Sequence, residues 1–314
     1  MRLIVRIKLL IRKVTRFLLD GIWNLDSDNY SNRKNRLVRH LKVTLITHRH
    51  FQSLRCGREA VALSFFTTMA TVPLLAVILI IANKFGLSEI VSDYITSSFL
   101  SNPDIGNMIM GWASNIMDLT SRGGFGLTSF ITFLWLVIWM MLSVENAFNH
   151  IWKVKKSRNI FRRVAVYISI LILTPFILVM FFYGTTYFTK FIGYIGDSQF
   201  VDFVTSYLFW IILYGLSVMV ISLMYMIIPH AKIKYVACFK AALISGLGFT
   251  AIQYFYLETQ IMATRLNTVY GMVAAIPLYM LWLNFCWFDI LFGVDLSYAF
   301  QHVNEYNPQI DEPR

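Results

Sequence analysis

Charge is what this sequence has least of. Only 14% of its 314 residues are Asp, Glu, Lys or Arg and 57% are apolar, whereas a soluble globular domain carries about 25% charge and about 45–50% apolar residues. A water-soluble enzyme is therefore excluded as the home of most of the chain, and a mean hydropathy of +0.59 fits one helical membrane domain. Cysteine is scarce too. Cys56, Cys238 and Cys286 make neither an even set nor a CxxC pair, so no disulfide framework or zinc knuckle is indicated and all three read as free thiols. Phosphate-cradling and nucleophile motifs are missing: no GxxxxGK[ST], strand-linked GxGxxG or GxSxG occurs, which leaves nucleotide-driven pumping and serine hydrolysis by this chain without support. The six histidines are scattered. His48-Arg49-His50 forms an HxH triplet, but no acidic residue follows at metal-ligand spacing, so no metal, no cofactor and no enzymatic activity are expected.

What is present is a series of long apolar runs. A helix crossing a hydrocarbon core about 30 Å thick needs about 20 mostly apolar residues, and six segments qualify, at about 60–82, 127–144, 164–183, 203–228, 236–257 and 269–294. The fold class expected is all-α: a polytopic membrane protein with six transmembrane helices, an N-terminal amphipathic interfacial helix and short helices in the first external loop. Within that loop 87–100 and 105–119 have the apolar spacing for short helices, Asn102-Pro103 breaks them, and Gly123-Gly124-Phe125-Gly126 forms a hinge into the second span. Three regions follow: a basic cytoplasmic amphipathic stretch at 1–58, the six-helix domain at 59–303, and a polar tail at 304–314.

Orientation comes from Lys and Arg, which concentrate on cytoplasmic flanks. Successive flanks hold 14, 2, 6, 1, 3 and 1 of them, an alternation that places the N-terminus inside and, with six spans, the C-terminus inside as well. Half of the 28 basic residues precede the first span. Arg2, Arg6, Lys8, Arg12, Lys13 and Arg16 share one helical face opposite Leu3, Ile7, Leu10, Ile11, Val14 and Leu18, which suits a helix lying on anionic lipid at the cytoplasmic face better than nucleic-acid binding. Residues 37–51 are basic and amphipathic again.

Ionisable and amide side chains within or beside the spans are functional candidates, because burying them in lipid is costly. The candidates for a polar cavity are Asn284, Asp289 and Asp295 of the sixth span, Glu145 and Asn149 after the second, and Gln253 on the fifth. Asn284 and Asp295 fall about 20° apart on one helix face, and Asp289 lies roughly 140° from Asn284. Lys240, near the start of the fifth span, is the candidate partner for Asp289. Gly246-Leu247-Gly248 and Gly271 to Ala275 read as close-packing stretches.

Several of these segments resemble a known family. Glu59-Ala60-Val61-Ala62-Leu63-Ser64-Phe65-Phe66 running on to Pro73-Leu74-Leu75, then Asn146-Ala147-Phe148-Asn149-His150-Ile151-Trp152, the turn at Pro229, and Tyr270-Gly271-Met272-Val273-Ala274-Ala275 continuing to Gly293-Val294-Asp295 look like the YihY/BrkB family of bacterial inner-membrane proteins. The resemblance covers roughly residues 40–303, with Gly293-Val294-Asp295 where the family has glycine-alanine-glutamate. It implies a six-helix protein of the bacterial cytoplasmic membrane, associated with serum resistance and with transport of lipids or small solutes. The expected function is thus transporter-like or flippase-like, for a lipid, amphiphile or small solute. The alternative is a non-transporting membrane scaffold or envelope-assembly factor whose basic face recruits partners or anionic lipid. The family's older label, ribonuclease BN, is not expected to hold, because no nuclease metal site can be assembled from these histidines. Nothing in the sequence fixes an oligomeric state.

Overall fold

The computed structural model describes residues 32–84, 111, 114–115, 124–154, 198–266 and 268–306, and all of its regular structure is helical. Its helices are α1 (Asn32–Ser53), α2 (Cys56–Lys84), α3 (Gly124–Ile151), α4 (Ser198–Ile227), α5 (Tyr235–Leu266) and α6 (Thr268–His302). Five of the six expected spans fall within α2 to α6. The expected span at 164–183, the amphipathic helix built on Arg2 to Leu18 and almost all of the first external loop lie outside the described residues. Among the described residues three stretches are long and apolar enough to cross a membrane: Trp210–Ile227, Tyr235–Thr259 and Pro277–His302.

Two helix ends show the stop that their sequence supplies. Ile227 is followed by Ile228-Pro229, and proline has no N–H with which to continue the ladder. The end of α3 closes with the Val154 N–H donating to the Asn149 carbonyl at 2.9 Å and the Lys153 N–H to the His150 carbonyl at 3.1 Å. This pair of bonds is a Schellman cap, and it places Lys153 at φ 52°, in the left-handed region.

Among the described helices α6 is central, touching all five others. Small residues let them approach. On α5 the inward face is Ala237, Cys238, Ala241, Ala242 and Ser245, all buried, while Val236, Phe239, Leu243, Ile244 and Leu247 are exposed. That arrangement suits a helix in lipid, where large apolar side chains meet acyl chains and small ones face neighbouring helices. Two hydrogen bonds rivet α2 to α6, from Trp287 Nε1 to Thr67 Oγ1 and between the Thr71 and Tyr279 hydroxyls, both 2.8 Å. A densely packed core of Val43, Ile46, Phe148, Ile151, Tyr225, Leu291 and Val294 fills the end of the bundle where α1, the ends of α3 and α6 and the α4–α5 turn meet.

Candidate functional site

Two polar clusters are built on α6, on different faces. The first is at its C-terminal end. In α1, Val43, Ile46, Thr47 and His50 recur at helical spacing and form the buried face, so His50 is carried inward while His48 stays exposed beside Gln52. His50 Nδ1 meets Asp295 Oδ1 at 2.5 Å, and the two side chains are 1% and 0% exposed. Tyr298 stacks flat on the imidazole, with ring centroids 4.8 Å apart. Trp152 meets Tyr298 edge-on at 5.5 Å, and Lys153 Nζ lies 5.6 Å from the same ring. His50 Nε2, Asp295 Oδ2 and Trp152 Nε1 are buried without a hydrogen-bond partner. The HxH triplet is therefore split, one imidazole exposed and the other committed to a carboxylate. Sequence reasoning placed Asp295 among the candidates but missed His50; the signal that finds it is the three- and four-residue spacing back to Thr47, Ile46 and Val43.

Cys56, which precedes the apolar run starting at residue 60, is also buried at this end. Burial, reinforced by the negative charges of Asp295 and Glu59, pushes its thiol up to about 12, so it is no nucleophile at neutral pH.

Glu145 and Asn149 are taken up in a bracket. Asn149 Nδ2 donates to Glu145 Oε1 at 3.4 Å, and Asn149 Oδ1 accepts the His230 backbone N–H at 2.8 Å. From the other side Gln301 accepts the Lys234 N–H at 2.9 Å and donates to the Lys232 carbonyl at 3.0 Å. The α4–α5 turn is thus held by α3 and α6 together, and both residues of the Glu145–Asn149 pair are buried.

The second cluster lies about two turns before the first along α6. Asp289 is partly buried and packs against Gly248 of α5, where a Cβ would overlap its carboxylate. Ser245 Oγ lies 3.4 Å from the Asp289 carbonyl oxygen, and the Tyr225 hydroxyl donates to the Ile290 carbonyl at 3.0 Å. Gly293 leaves room for the Tyr225 and Ser245 hydroxyls. Asp289 Oδ2 and Ser222 Oγ are buried without partners. Lys240 does not meet Asp289: it is exposed and eight residues before Gly248, about 12 Å along the helix. The expected pairing fails because α5 presents its small residues to α6 and its lysine to the surroundings. Asn284 is partly buried five residues before Asp289, and Gln253 is partly buried five residues beyond Gly248. Tyr225, Ser222 and Ser245 were not legible as site residues, since hydroxyls in an apolar run carry no periodic signal.

Among the described residues no group of three His, Cys, Asp or Glu side chains is placed to hold a metal ion. The lipid-surface candidates Arg2, Arg6, Lys8, Arg12, Lys13 and Arg16 lie outside the described residues.

Comparison with known proteins gives a consistent picture. A UPF0761 membrane protein of Acinetobacter baylyi is 31% identical over 264 residues, covering 81% of this chain and 61% of the relative. One from Janthinobacterium sp. is 27% identical over 259 residues, covering 80% and 58%, and one from Vibrio vulnificus is 25% identical over 264 residues, covering 82% of each. The chain thus spans about three-fifths of the length of the first two relatives, 61% and 58%. No solved structure matches it. The family described as Virulence factor BrkB matches residues 47–314, a stretch that takes in α2 to α6 and both polar clusters, and the chain belongs to this family of membrane proteins.

Proposed function

We propose that this protein is a transporter-like or flippase-like component of the bacterial cytoplasmic membrane, with six spans and both termini in the cytoplasm, that moves a lipid, amphiphile or small solute along the α5–α6 seam. The observation that carries this reading is Asp289, a carboxylate inside the stretch Pro277–His302 whose Oδ2 is buried with no hydrogen-bond donor. An ionised side chain at the centre of a span costs about 2.5–3.5 kcal/mol even on the lenient insertion scale, and such residues mark substrate and ion pathways. A purely structural carboxylate would be paired, as Asp295 is with His50. Gly248 of α5 and Gly293 of α6 make the seam narrow, so α5 and α6 can slide there without forcing large side chains past one another.

A scaffold or assembly role is favoured by a different observation, the solid packing around Phe148, Ile151, Tyr225, Leu291 and Val294. The two readings separate in one experiment. Purified protein is reconstituted into vesicles of phosphatidylethanolamine and phosphatidylglycerol, and movement of fluorescent analogues of both lipids between leaflets is followed by quenching from outside. Transport predicts faster movement than in empty vesicles and at least a tenfold loss in Asp289→Asn, with the folded yield retained. Movement no faster than in empty vesicles, for lipids and for a panel of small solutes, leaves the scaffold reading standing.

A further inference from the structure

The surroundings of Asp289 narrow what the seam binds, and this step rests on the transport reading. From α5 the carboxylate is met by Gly248, while the hydroxyls of Tyr225 on α4 and Ser245 on α5 reach the backbone carbonyls of Ile290 and Asp289. Cys286 is the ionisable neighbour on its own helix, and Cys238 lies close to Tyr225. Between Glu59 and Lys84 α2 contains no ionisable side chain, and α3 contains none before Glu145. From α1, Phe51 packs on Phe288 and Phe292, and His50 is committed to Asp295. No described helix therefore brings a fixed cation to Asp289. The carboxylate packs on Gly248, and its Oδ2 is buried with no hydrogen-bond partner.

A carboxylate to which no described helix brings a counter-charge, packed closely on a glycine and with one oxygen unengaged, is suited to a mobile cation, and contact as close as that with Gly248 favours the smallest. We propose that Asp289 is a proton-binding site and that the α5–α6 seam couples movement of its substrate to movement of a proton. In the closed seam the proton is bonded to a carboxyl oxygen and the side chain is neutral. When the seam opens to water on one side, the O–H bond breaks, the proton leaves as hydrated H⁺ and the carboxylate is hydrated. Protonation from water on the other side restores the neutral form. No electron moves, and water on the two faces is the only co-reactant. Because the ionised form favours the wet, open seam and the neutral form the dry, closed one, proton occupancy biases the two states by differential affinity.

The test uses the full chain in phosphatidylethanolamine and phosphatidylglycerol vesicles, with two readouts. Infrared difference spectra between acidic and alkaline buffers should contain a protonated-carboxyl stretch that disappears in Asp289→Asn. If that variant is not recovered folded, Asp289→Glu, which keeps the carboxyl, should move the band. Independently, an imposed pH difference should shift the leaflet distribution of fluorescent phosphatidylglycerol by up to about tenfold per pH unit for each coupled proton, and Asp289→Asn should abolish the dependence. A spectrum with no contribution from residue 289 overturns the proposal, as does a distribution driven by a sodium gradient and indifferent to pH. A residue-289 band without any lipid or solute movement keeps the proton site and removes the transport reading instead.

Discussion

Arg55 and Lys153 are the positive-φ non-glycine residues among those described, at 55° and 52°, and both border the His50–Asp295 cluster. Arg55 turns the chain from α1 into α2, with its N–H donating to the Gln52 carbonyl at 3.1 Å. A residue with a Cβ costs roughly 1–2 kcal/mol in that conformation, so Arg55→Gly should raise stability by about 1 kcal/mol, read as a higher apparent melting temperature in detergent. Lys153→Gly should gain less, since it also removes the cation beside Tyr298. At the His50–Asp295 pair the sign reverses. Removing one member of a buried, hydrogen-bonded pair leaves the other unsatisfied, at a cost of about 1–3 kcal/mol or more, whereas exchanging both for apolar residues is often neutral. His50→Ala should therefore destabilise the protein severely, and His50→Leu combined with Asp295→Val should recover most of the loss in the same melting experiment. Asp295 was visible in the sequence as a lone acid near a span end. Its partner was not, because the two are 245 residues apart and His50 is flanked by a second histidine that answers the same motif but points outward.

The helices themselves were legible and their faces only partly so. Length and apolar content placed the starts of α5 and α6 within one residue of those observed, because a run of about 20 apolar residues has few other stable forms in lipid, but both helices run on past the apolar run, to Leu266 and His302. Polarity could not say which face of α5 turns inward. Leu243 and Leu247 are exposed while Ala241, Ala242 and Ser245 are buried, an order set by side-chain size, since lipid and helix interior are equally apolar. The glycines did carry the signal. At Gly293 a Cβ would strike the Ser245 and Tyr225 hydroxyls, while at Gly215 on α4 it would meet nothing within 4 Å. Gly293→Ala should cost about 1–3 kcal/mol through overpacking, and Gly215→Ala should be neutral or mildly stabilising as a better helix former. Equal melting temperatures for the two variants would remove the close α5–α6 contact as a determinant of stability.

For the whole molecule, the expected cytoplasmic flanks converge. His50 of α1 reaches Asp295 of α6, Asn149 after the second apolar run holds His230 in the α4–α5 turn, and Gln301 near the end of α6 holds Lys232 and Lys234. Four flanks from separate parts of the chain therefore share one end of the bundle, and that end gathers Arg39, Arg55, Arg58, Lys153, Lys232 and Lys234, all exposed. Alternation of Lys and Arg along the sequence asks for this gathering on the cytoplasmic side, where anionic lipid contributes about 1 kcal/mol per basic residue. Labelling tests which side it is, and the native thiols do not interfere, because Cys56, Cys238 and Cys286 are all buried. In intact spheroplasts a cysteine at position 104 should react with an impermeant maleimide, and a cysteine replacing Lys232 should react only after permeabilisation. The opposite pattern would invert the protein in the membrane and place the His50–Asp295 pair and the basic end on the outer face. In that orientation anionic cytoplasmic lipid could not hold α1, and the basic residues would need an extracytoplasmic partner.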